Sequence, residues 1–183
     1  LLAVPLFLLM SNVLLKGGCG KDLFNAVQAW VGHWPGGLAV ATIISCGIFA
    51  AISGVSVATA ATIGVVAIPE MIKRGYNKNF VYGLLAAGGT LGILIPPSLP
   101  MIVYGFITEE SVIALFLAGI GPGIILISLF IIYSIIYSKF FGGFKKLDPS
   151  SWQTKKNTSK KVIPTIILAF LIPVSYTHLR AHE

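Results

Sequence analysis

The stretch that most restricts how this chain can fold is Gly88-Gly89-Thr90-Leu91-Gly92-Ile93-Leu94-Ile95-Pro96-Pro97-Ser98, set inside a run from Asn79 to Thr108 that holds no charged residue. Adjacent prolines remove two backbone N–H donors and push the chain out of helical geometry, so the carbonyls about one turn earlier, near Gly92 and Ile93, lose their partners. In hydrocarbon, broken backbone persists only when it is buried in protein or lines a watery cavity. The break therefore points to a site for ions or solutes. As one straight helix the run would be about 45 Å long, against a hydrocarbon core of about 30 Å. We expect one half-helix to end near Gly88 to Leu91 and another to start near Pro97 to Pro100, where Ser98 and Pro100 suit a helix start.

Composition agrees that the solvent is lipid. Of the 183 residues 56% are hydrophobic and only 10% charged, which places the chain in the membrane class. A net charge of +7 would suggest nucleic acid in a soluble protein, but here the basic residues sit between apolar segments and carry topology instead. Cys19 and Cys46 are isolated and suggest neither a disulfide framework nor a metal site. The opening apolar segment, Leu1 to Leu15, reads as truncated, because a span needs about 20 residues. From Asp22 to Trp34 apolar residues recur at helical spacing, so we expect an interfacial helix capped by Asp22 or a neighbour; the alternative is a connector packed on protein.

Leu38 to Ile72 has its natural break at Ser53-Gly54-Val55-Ser56. Each arm of about 15 residues would be roughly 22 Å long, short for a full span, which favours a re-entrant hairpin. Lys73, Arg74 and Lys78 follow it, and Lys139, Lys145, Lys146, Lys155, Lys156, Lys160 and Lys161 follow the apolar segment Ser111 to Ser138. By the positive-inside tendency both loops are cytoplasmic, with Glu109 and Glu110 at the outer turn between the two crossings. A pair of full spans would give the same parity. Gly121-Pro122-Gly123 reads as a kink within a continuous helix.

Discontinuous helices in transporters present half-helix N-termini to anions and free carbonyls to coupling cations. At the hairpin tip Ser53, Ser56 and Thr59 offer hydroxyls, and at the second break Thr90, Ser98 and the carbonyls near Gly88, Gly92 and Ile93 offer uncharged oxygens. Taken singly, each serine or threonine is a small packing residue between helices. Two broken elements in one short chain favour ligation. No Asp, Glu, Lys or Arg lies between Leu23 and Pro69 or between Asn79 and Thr108, so no carboxylate proton relay is evident, and neutral oxygens favour sodium as the coupling ion.

Ser53-Gly54-Val55-Ser56-Val57-Ala58-Thr59-Ala60-Ala61-Thr62-Ile63-Gly64, followed by Gly89 through Ser98, closely resembles the large membrane subunit of tripartite ATP-independent periplasmic (TRAP) transporters, the DctM-like family. Pro5 through Asn12 resembles the preceding helix of that family, and the likeness covers about Leu1 to Leu171. The resemblance implies an all-α, multi-pass protein of the bacterial inner membrane, one half of an elevator-type carrier, driven by a sodium gradient. It implies import of carboxylates or related organic acids handed over by a periplasmic binding protein, alongside a small membrane subunit. The chain corresponds to the first of two inverted repeats, and the matching sodium-site positions are Ser53, Gly54, Ser56, Thr90, Gly92 and Pro96, with Asn12 at a polar position of the preceding helix.

Two residues depart from the family pattern: Val55, where relatives often carry another small or hydroxyl residue, and Ser11, where glycine is common. Residues 1–174 read as the transporter fragment, and Ser175 to Glu183, which replaces an apolar segment begun at Val162, reads as a non-native tail. An intramembrane serine enzyme is disfavoured, because Gly54-Val55-Ser56-Val57 lacks the closing glycine of a nucleophile elbow and no intramembrane histidine could serve as base. The serious rival is a pore-forming or structural membrane subunit, since broken helices also line channels.

Overall fold

The helices start and stop where backbone donors and φ angles require it. A computed structural model describes residues 16–141, 151–163 and 167; the segment Leu1 to Leu15 with Asn12, and the tail from Ser175, lie outside the described residues. Helix α1 (Cys19–Val31) follows Gly18 and α2 (Gly37–Ser53) follows Gly36, both glycines left-handed at φ 71°. Next come α3 (Ser56–Lys73), α4 (Lys78–Leu94), α5 (Leu99–Thr108) and α6 (Val112–Phe140). Asn77, Ser98 and Ser111 cap α4, α5 and α6, each side chain accepting from a backbone N–H of the first turn. A further helical run covers residues 152–163, and no strand occurs among the described residues. This is an all-α membrane architecture.

Helices α2 and α3 form the hairpin expected at Ser53 to Ser56. Near the tip the Ser53 and Thr59 hydroxyls lie 3.0 Å apart, and at the open end the Thr42 hydroxyl reaches Met71 Sδ at 3.5 Å, so the arms run side by side along their length. They contain 17 and 18 residues, longer than the sequence suggested. At 1.5 Å per residue that is about 26 and 27 Å, close to the thickness of a hydrocarbon core. Two further stretches, Lys78–Thr108 and Val112–Phe140, join Ser56–Lys73 in being long and apolar enough to cross a membrane.

The break within Lys78–Thr108 comes later than expected. Helix α4 continues through Gly88 and Leu91 to Leu94, and the second half starts at Leu99, within the expected window. Glycines alone do not stop a helix whose backbone bonds remain intact; the stop comes from the missing donors of Pro96 and Pro97 and from Ile95, held extended because a residue before proline avoids helical ψ. Helix α6 runs unbroken through Pro122, and its Gly119 and Gly123 lie against the Leu94 carbonyl and Ile95, bridging the interruption.

At α1 the structure corrects the start by three residues and moves the cap from Asp22 to Gly18, which makes no side-chain bond. Its apolar residues Leu23 and Phe24 are buried in the core shared with α2 and α3, so this face packs on protein, while Trp30 and Trp34 stay exposed.

The two ends of the bundle differ in charge. Phe80 at the start of α4 stacks on Tyr137 at the end of α6, with ring centroids 3.9 Å apart, and the Trp30 indole N–H donates to Ser159 Oγ at 3.1 Å. Lys73, Arg74, Lys78, Lys139 and the lysines of the run 152–163 therefore share one end. Glu109 and Glu110 mark the other, between α5 and α6, as the positive-inside reading requires.

Candidate functional site

Four helix ends converge where the two discontinuities meet. The C-termini of α2 and α4 bring carbonyl-rich, negative dipole ends, and the N-termini of α3 and α5 bring positive ones. The contact is direct: the Leu99 N–H, free because it opens α5, donates to the Gly54 carbonyl at 3.2 Å. Gly54 is left-handed at φ 62°, and a Cβ there would lie 2.7 Å from the Pro97 carbonyl oxygen. On the other side a methyl at Gly92 would lie 2.8 Å from the Ser56 N and Cα atoms and from the Val55 carbonyl carbon. Only a glycine lets the two backbones come this close.

Within this junction Ser53, Thr59 and Ser98 are fully buried. The Thr59 hydroxyl donates to the Val55 carbonyl at 2.9 Å while sharing its 3.0 Å contact with Ser53 Oγ. Ser98 Oγ donates to the Ile93 carbonyl at 2.8 Å, filling the vacancy left by the missing proline donors, and accepts from the Met101 N–H at 3.4 Å. The Pro96–Pro97 peptide is cis, and Pro96 is half-buried. The junction presents several neutral oxygens, Ser53 Oγ, Thr59 Oγ1 and the carbonyls of Val55, Gly54 and Pro97, with no ionised group among them. Such a set suits a hard monovalent cation, since rotating the two hydroxyls frees their lone pairs.

Not every predicted position joins this junction. Gly88 lies inside α4 rather than at its end, packed on Cys46, whose Sγ would be 2.8 Å from an added Cβ. Thr90 is exposed, its hydroxyl turned back onto the Ala87 carbonyl at 2.7 Å. Gly92 and half-buried Ser56 meet through backbone rather than through the Ser56 hydroxyl. Asn12 lies outside the described residues. Sequence reasoning missed the Leu99 N–H and the Val55 and Pro97 carbonyls; the signal available for the first was the residue following a capping serine, whose N–H has no partner within its own helix.

The description "Tripartite ATP-independent periplasmic transporter, DctM component" belongs to a family model matching residues 1–183. Among relatives, the ectoine TRAP transporter large permease protein of Halomonas elongata is 43% identical over 138 residues, which cover 75% of this chain and 32% of that protein. The C4-dicarboxylate TRAP transporter large permease protein of Pseudomonas aeruginosa is 40% identical over 174 residues, covering 94% of this chain and 40% of the relative. The isethionate TRAP transporter permease protein of Oleidesulfovibrio alaskensis is 42% identical over 139 residues, 76% of this chain and 22% of the relative. The chain thus spans between 22% and 40% of the length of these curated relatives.

Proposed function

Because the chain belongs to the DctM component family of TRAP transporters, a family of multi-pass inner-membrane permeases, we propose that it supplies one half of the ion-handling core of a large permease subunit. The whole subunit imports carboxylates or related organic acids, in keeping with relatives named for C4-dicarboxylate and isethionate transport. A periplasmic binding protein delivers the substrate, a small membrane subunit accompanies the permease, and a sodium gradient drives uptake. The hairpin enters and leaves on the cytoplasmic side, and its tip, with the interrupted helix, cradles the sodium ion through Ser53, Thr59 and neighbouring carbonyls. Sodium fits this place because every nearby oxygen is neutral and two carbonyl-bearing helix ends aim at it.

The observation that carries the reading is the bond from the Leu99 N–H to the Gly54 carbonyl, which ties the two interruptions into one buried junction. The test is uptake of a dicarboxylate by vesicles holding the full-length permease, its small subunit and its binding protein. Uptake should saturate and require both an inward sodium gradient and the binding protein. Ser53→Ala and Thr59→Ala should each raise the sodium concentration for half-maximal uptake about tenfold, the equivalent of about 1.4 kcal/mol per lost oxygen. Thr90→Ala should move it far less. Current that flows without gradient or binding protein would instead identify a pore.

A further inference from the structure

Away from the junction, α1 and α3 line a cleft of about 480 Å³ in which charged, polar and apolar side chains are mixed. Lys21, Asn25 and Gln28 line it from α1; Val65, Glu70 and Lys73 line it from α3. Volume alone suits a ligand group of moderate size. Charge narrows the class. Glu70 is the one carboxylate on the cleft, and its Oε1 is held by Arg74 Nε at 2.9 Å, the only ion pair among the described residues. Lys21 and Lys73 therefore leave two cations uncompensated.

The position of Lys21 makes that imbalance costly. Its neighbour Gly20 packs directly on Thr62, eleven residues before Lys73 along α3, or about 16 Å from the basic end at 1.5 Å per residue. Lys21 thus leaves the helix beside Val65, which is 78% exposed within an apolar helix long enough to cross a membrane. A cation rooted at that depth is expensive unless an anion meets it. Lys73 belongs to the end of the molecule that carries the other basic residues, the side of the cytoplasmic leaflet, and Lys21 lines the same cleft farther from that end.

We propose that this cleft binds the phosphate of an anionic phospholipid of the cytoplasmic leaflet. Lys21 and Lys73 grip the phosphate, the Asn25 and Gln28 amides donate to the headgroup, and an acyl chain lies along Val65. A phospholipid meets the lysines and the apolar lining of Phe24, Val65, Val66 and Pro69 at once, whereas a soluble anion leaves that apolar lining unused.

The experiment measures retention of labelled phosphatidylglycerol and phosphatidylcholine by the full-length permease with its small subunit. The wild type should retain phosphatidylglycerol in preference. The double variant K21Q/K73Q should weaken that retention by roughly 30-fold, from about fivefold per lysine near the surface. K21R/K73R should restore it, which guards against misfolding as the cause, and K156Q/K160Q, on the run 152–163, should leave it unchanged. Equal retention of the two lipids, undiminished retention in K21Q/K73Q, or equal loss in K156Q/K160Q overturns the site. Displacement of phosphatidylglycerol by millimolar inorganic phosphate overturns the lipid as its occupant.

Discussion

Two proline sites in neighbouring helices meet opposite fates. At Pro96-Pro97 the helix stops at Leu94 and resumes at Leu99, whereas α6 passes unbroken through Pro122. Glycine content does not separate them, since Gly121 and Gly123 flank Pro122 directly, closer than Gly92, which stands four residues before Pro96. Donor arithmetic does so in part: one proline deletes one N–H, which a helix absorbs as a bend, and two in succession open a gap. The larger difference is what waits beside the gap. Ser98 takes the Ile93 carbonyl, Gly54 takes the Leu99 N–H, and the tip backbone fills the space beside Gly92, while Gly121 faces nothing within 4 Å. An interruption in an apolar helix is stable where a second element accepts the freed backbone groups.

That contrast can be broken most forcefully at Gly92. Gly92→Ala pushes a methyl into the Ser56 backbone, so we expect a loss of about 1–3 kcal/mol of stability and of most dicarboxylate uptake, read by thermal unfolding and vesicle assays on the full-length transporter. Ser98→Ala comes next: it leaves the buried Ile93 carbonyl unpartnered and uncaps α5, at a cost of about 1–2 kcal/mol. Gly121→Ala, the matched change in α6, should be neutral or stabilise by up to about 1 kcal/mol, because it adds helix propensity where no neighbour intrudes. Should the two glycine substitutions prove equally tolerated, the close approach at the junction is not what holds the break.

The smallest effect lies at the basic end, where Tyr76 links α3 to α4. Burial pushes its hydroxyl up from 10.0 to about 12, with the Leu38 backbone and the Arg74 charge pulling part of the way back. A raised pKa means that the folded state keeps a proton the unfolded chain releases, so this stability is fully present below pH 10.0 and disappears as pH climbs toward about 12. Tyr76→Phe should flatten that alkaline loss, while neutral-pH stability falls only by what the lost bond with the Leu38 backbone contributed, about 1 kcal/mol, which a series of melts across this range would record.

Much of this was legible in the residues. The hairpin turn at Gly54 and Val55 follows from small and hydroxyl residues between two apolar arms, and the stop before Pro96 follows from absent donors. The exact end of α4 was not legible, because Gly88, Gly89 and Gly92 look alike as helix breakers and as close-packing surfaces until the neighbouring backbone is known. Thr90 illustrates the same limit: its hydroxyl is satisfied by its own helix, a choice that depends on which face the tip occupies. The buried face of α1 was ambiguous for a related reason, since an amphipathic pattern describes a helix on lipid and one on protein equally well.

The link between residues 54 and 99 is drawn wholly from peptide groups, and it therefore bears no side-chain signature. Of the ordinary residues only proline at 99 erases the donor. A survey that trims one side chain after another would chart the surroundings of this rivet and pass over the rivet itself; to see it one must replace the amide, for instance with an ester, and watch whether hairpin and broken helix come apart.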